Sequence, residues 1–159
     1  MSKTKMQDVM QLRGFYRVQL TAPGNPDVIM GDSGWLQNQI TNEGRRVVVR
    51  LIGALAGSSQ MSHAALGTGT QPGAADTTLN GELGENVRAT VAAATNGSTS
   101  VQFTGTFSSS NSFVTATRNI SNIGLFFTSS GGTIFAGNTY NSSACATNQN
   151  VNFTYTITD

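Results

Sequence analysis

Val151-Asn152-Phe153-Thr154-Tyr155-Thr156-Ile157-Thr158 alternates apolar and polar side chains without a break. Successive side chains of a β-strand point to opposite faces, so this octet buries one face and leaves the other to solvent. The solvent face is Asn and Thr, without charge. Val101, Phe103 and Phe107 alternate with Gln102, Thr104 and Thr106 in the same way, which predicts a matching strand over Ser100–Phe107. Further strand signals at Met61–Leu66, Asn86–Ala94, Phe113–Arg118, Ile120–Phe127 and Thr133–Tyr140 bring the set to seven short strands. Asn96-Gly97 and Gly131-Gly132 lie between them and tolerate the positive φ of tight hairpins. The predicted fold is mainly β, an antiparallel β-sandwich or jelly-roll-like domain with one α-helix and an extended N-terminal arm.

The composition points the same way. Gly, Ser, Thr, Asn and Gln supply 78 of the 159 residues while only 11% are charged. These side chains compete with helical hydrogen bonding and suit turns and half-exposed strands. Aromatic residues spread from Phe15 to Tyr155 argue for a packed core rather than a disordered chain, and the length suits one domain. The helix is expected at about 42–56, although the three consecutive valines also suit a strand over Arg45–Leu51. There Val47, Val48, Leu51, Ile52 and Leu55 fall within an arc of about 140° at helical spacing, with Thr41 or Asn42 to cap its start and Gly57 to end it. No run of about 18 apolar residues suggests a membrane span, and no secretory signal is visible at the start. Cys145 is the single cysteine, so neither an intrachain disulfide nor a thiolate zinc site is expected.

Residues 1–34 read differently from 35–159, the expected sandwich domain. Pro23, Pro26 and the Gly31–Gly34 cluster surround one apolar run, Phe15–Leu20, which suggests an arm holding a single strand. The first fifty residues carry a net charge of +3 and the remainder −2. Lys3, Lys5, Arg13 and Arg17 are the candidate protein-binding residues of this basic arm. After Lys5 there is no lysine at all, although sheet edges are ordinarily protected by charge, and by lysine especially. Such a surface is suited to being covered by copies of itself or by another protein.

Motifs for chemistry are thin. Gly31-Asp32-Ser33-Gly34 has the local form of a serine nucleophile segment, but His63 is the only histidine and the segment fits a turn that delivers Trp35 to the core or to a partner. Gly67-Thr68-Gly69-Thr70-Gln71-Pro72-Gly73 follows a strand without the helix and basic residue that a phosphate cradle needs. It reads as a loop with glycines at positive φ, ended at Asp76, whose carboxylate can cap the short turn Thr77–Leu79. Asp76, Glu82 and Glu85 lack the alternating oxygen ligands of a calcium loop. No catalytic residue, cofactor or metal is expected, nor direct nucleic-acid binding.

His63-Ala64-Ala65-Leu66-Gly67-Thr68-Gly69-Thr70, then Pro72, Asp76-Thr77, Leu79, Glu82-Leu83 and Arg88, resembles a pattern of small tailed-bacteriophage virion proteins. Asn119-Ile120-Ser121-Asn122-Ile123-Gly124-Leu125-Phe126 is similar to that group's second motif, and Ile40-Thr41-Asn42-Glu43-Gly44 to its helix start. Asn122 departs from the pattern, standing where relatives commonly have an acidic residue. The resemblance implies a β-rich, non-enzymatic structural protein of the phage head or tail. The leading expectation is a capsid decoration (cement) protein on the outer surface of the head. Its partners would be the major capsid protein and itself, as a homotrimer, with no membrane involved. The alternative is a tail, baseplate or fibre-attachment protein; a carbohydrate-binding module shares the sandwich but normally shows an aromatic platform, for which Trp35 and Tyr140 are the candidates.

Overall fold

The computed structural model of the chain describes residues 11–53, 60–83 and 88–159. Eleven strands and one helix follow one another as β1 (Arg13–Ala22), β2 (Asn25–Asp32), β3 (Leu36–Gln37), β4 (Gln39–Ile40), α1 (Asn42–Ile52), β5 (His63–Gly67), β6 (Ala89–Thr90), β7 (Ala92–Thr95), β8 (Ser100–Phe107), β9 (Arg118–Phe126), β10 (Ile134–Cys145) and β11 (Val151–Thr158). All pair antiparallel in two sheets. The first runs β2-β1-β11-β8-β7 with β3 also on β1, and the second runs β4-β10-β9-β5-β6.

β11 sits centrally in the first sheet, which explains why its alternation is so complete. Val151, Phe153, Tyr155 and Ile157 are buried, and the Asn and Thr residues between them are partly exposed. Its neighbours match it across the ladder, Tyr155 lying between Tyr16 of β1 and Phe103 of β8. The Tyr16 and Tyr155 rings stack with centroids 5.5 Å apart. Their hydroxyls then cross to the second sheet, Tyr155 Oη donating to the Ile123 carbonyl at 3.1 Å and Tyr16 Oη to that of Thr139. Burial raises both phenol pKa values, so each stays a neutral donor. Two buried hydroxyls thus tie together layers that otherwise meet through apolar side chains such as Phe107, Ile123, Leu125 and Phe135.

Both expected hairpins form. Asn96 N–H bonds the Ser100 carbonyl between β7 and β8, with Gly97 at φ 90°. Gly131 and Gly132, at φ 58° and 69°, turn β9 into β10. The helix begins where Thr41 caps it, its Oγ1 accepting from Gly44 N–H at 3.0 Å. That hydroxyl also donates to β10, reaching the Ile134 carbonyl at 2.7 Å, so the cap is an anchor as well. Gly44 lies so close to β10 that an added Cβ would stand 2.3 Å from the Phe135 carbonyl oxygen.

Several sequence expectations are corrected. Residues 13–32 are not an extended arm: β1 is zipped to β11 from Arg13–Thr158 to Leu20–Val151 and carries β2 on its other side. Pro26 is tolerated in β2 because an edge strand leaves one row of backbone donors unused. Phe113–Arg118 is not a strand. A 3₁₀ turn at Ser109–Asn111 and left-handed Ser112 break the backbone, and Phe113 and Val114 plug the core from a crossing loop. The helix ends sooner than predicted, at Ile52, with Gly53 bonding back to Val49 and Leu51; Leu55 and Gly57 lie outside the described residues.

Candidate assembly surface

Of the four basic candidates, Lys3 and Lys5 lie outside the described residues. Arg13 opens β1, exposed, with its guanidinium on Gln11 Oε1 at 2.9 Å. Arg17 stands on the outer face of β1 and grips Asp32 of β2, Nε reaching the two carboxylate oxygens at 2.9 and 3.1 Å and Nη2 closing the fork. Gln19 Nε2 and Gly34 N–H also donate to Asp32. The guanidinium holds this carboxyl well below the usual carboxylate range. Arg17 therefore fastens a hairpin, and its charge is committed within the chain.

The turn after β2 does not assemble a serine centre. Ser33 Oγ accepts from Val18 N–H at 2.9 Å and donates to the Gly34 carbonyl at 2.8 Å. His63 lies in the other sheet on β5, its Nδ1 2.8 Å from Ser62 Oγ. The turn does not deliver Trp35 to the core, the first of its two expected destinations: the ring is 51% exposed and borders an open apolar depression with Phe15 and Thr156.

The glycine loop is also corrected. Gly67, Gly69 and Gly73 are not among the positive-φ residues; the first two are needed for close approach, because a Cβ on Gly67 would meet Asn122 Oδ1 at 2.3 Å and one on Gly69 the Asn80 carbonyl at 2.3 Å. Asp76 does not cap the following turn but reaches back to Gly73 N–H at 2.8 Å. Asn122 is fully buried and its Nδ2 donates to the carbonyls of Asn80 (2.8 Å) and Thr70 (3.3 Å).

Arg88 is the second clamp of this region. Its Nε and Nη2 bind Glu82 at 2.7 and 3.0 Å, and Nη1 reaches the Gly131 and Thr128 carbonyls at 2.7 and 3.0 Å. The guanidinium also lies 3.6 Å from the Phe126 ring centroid. The two sequence motifs that carry the virion resemblance are thereby one packed unit, since β5 pairs with β9 and both clamps cross between them and the loop 67–83. Glu85 lies outside the described residues, and among those described no group of three His, Cys, Asp or Glu side chains could hold a metal.

Between the sheets a cleft of about 540 Å³ opens, walled by Val18 and Leu20, by Ser33 and Leu36, and by the irregular middle of β10 around Tyr140–Ser143. Cys145 lies at its floor, buried at the end of β10 rather than in an exposed loop, and burial pushes its thiol up to about 11. Such a thiol is inert at neutral pH.

What the surface shows most plainly is unpartnered apolar side chains. Val28, Ile29 and Met30 of β2 are 42–66% exposed, and Val49, Leu51 and Ile52 of α1 are 42–74% exposed. The apolar arc of the helix is covered only in part: Val47 and Val48 are half-buried, whereas Leu51 and Ile52 stand exposed. Among the described residues no helix is long and apolar enough to cross a membrane. Comparison with protein-family models, characterised proteins and solved structures returns no match.

Proposed function

We propose that this chain is a non-enzymatic virion structural protein that decorates and stabilises an assembled phage head, binding the major capsid protein and copies of itself as a homotrimer. The observation that carries this reading is the pair of exposed apolar stretches on β2 and α1 in a chain with few charges to keep them wet. A surface of that kind is suited to burial against other subunits. The packing of the two resembling motifs onto each other is in keeping with it, since each has a structural task. Stabilisation would follow from mass action: many copies that bind only the assembled shell lower its free energy. Because β1 and β2 belong to the sheet, Arg13 and Arg17 are not part of a free arm, and docking is assigned here to the exposed apolar surfaces.

The test is binding of the purified chain to purified phage heads, followed by heating of the decorated shells. Saturable binding over the whole head with a raised disruption temperature is the expected result. Labelling confined to one vertex or the tail tip would replace it with a tail-associated role. Exposed Trp35 beside Phe15 favours one further reading, glycan binding; a glycan array that lights up and loses its signal in Trp35→Ala would establish it.

A further inference from the structure

Six of the seven large hydrophobic residues exposed on the described surface fall in two short stretches, and the two stretches differ in charge. On β2, Val28, Ile29 and Met30 follow Asp27, which is exposed and has no ion pair among the described residues. On α1, Arg45, Val49 and Ile52 recur at i, i+4 and i+7, so they share one face, while Arg50 falls on the far side of the helix. Arg46 is taken by Glu43, whereas Arg45 and Arg50 have no ion pair among the described residues. One patch is thus apolar with an acid, the other apolar with a base. They sit on different sheets, β2 at the edge of the first and α1 against β10 of the second.

We infer that these patches are the two halves of one self-interface, in which α1 of one copy lies against β2 of the next. The occupant of each is a second copy of this chain because the chain itself carries the complementary surface. Apolar side chains meet at the centre, and Asp27 meets Arg45 at the rim, where opposite charge fixes register and suppresses the α1-to-α1 and β2-to-β2 pairings. Two different patches make the contact heterologous, so copies join head to tail and close into a ring when the rotation allows. The inference rests on the self-association within the function proposed above and not on the capsid.

The experiment is sedimentation velocity of the full chain across a concentration series, without phage components. The wild type should form an oligomer that dissociates on dilution. Asp27→Arg and Arg45→Glu should each weaken it by about tenfold or more, because like charges then face each other. Combining the two changes reverses both sides and should restore most of the loss. Met30→Ser and Ile52→Ser, neutral and exposed, should weaken it without rescuing each other. Circular dichroism checks that each variant is folded. A wild-type monomer at every concentration, an oligomer indifferent to the single-sided changes, or failure of the combined variant to recover would overturn the interface. An oligomer that behaves as described but ignores phage heads would refute the function and leave the interface standing.

Discussion

Replacing Arg88 by Met keeps an unbranched apolar stem on the Phe126 ring and removes everything else the guanidinium does. The side chain is only 5% exposed, so its charge is sustained by its partners and not by water. Taking one member from a buried ion pair costs about 3–5 kcal/mol, since the other is left uncompensated. Glu82, however, is 29% exposed and can turn toward solvent, which lowers the figure. The Thr128 and Gly131 carbonyls lie on an exposed turn and exchange the guanidinium for water at little cost. The net loss is about 2–3 kcal/mol, or roughly 5–10 °C in melting temperature for a chain of this size. Urea unfolding followed by circular dichroism measures it. Glu82→Gln keeps a neutral acceptor and should cost about 1 kcal/mol, and a double-mutant cycle with Arg88→Met should show strong coupling. A loss below about 0.5 kcal/mol, or additive effects in the cycle, would show that Arg88 is not the clamp described.

Two further outcomes follow from buried polar groups. Asn122→Asp places a carboxylate where two carbonyls now accept hydrogen bonds, and should destabilise the chain by about 3 kcal/mol or more at pH 7; equal stability of variant and wild type in urea would disprove the assigned amide orientation. His63 has its pKa lowered, first by burial and then by the nearby Arg88 charge. A lowered folded-state pKa means the unfolded chain takes up the proton first, so stability is full above the unfolded pKa of about 6.5 and declines as pH falls below it. His63→Gln should flatten that decline, and an unchanged slope between pH 7 and 5 would assign the acid sensitivity elsewhere.

Where one face of a strand is buried and the other wet, the fold was legible in the residues themselves. β8 and β11 fall on the predicted ranges because both are interior strands of a sheet with a single apolar side. β2 was hidden by Pro26 and Gly31, which signal turns, and by the absence of any buried face to impose alternation. Phe113 and Val114 look like strand residues because they are apolar, yet a loop can fill a core just as well. The surface was less legible than the core. That Arg17 is spent on Asp32 depends on the hairpin bringing β1 and β2 together, and no periodicity announces a cross-strand partner. The helix misled for the same reason, since an apolar arc marks a face that seeks cover without saying whether the cover lies in the same chain.

The pairing of β1 with β11 also governs when the molecule can be made. Arg13–Ala22 leaves the ribosome early but has its inner partner only once Val151–Thr158 has been synthesised. Until then the first sheet lacks its middle strand, and its most apolar segments wait open to chaperones and to one another. Ladders between such distant segments form slowly, because a long loop must close before any contact rewards it. The first sheet can therefore close only after Val151–Thr158 has been made, and until then edge strands such as β2 are most prone to pair wrongly.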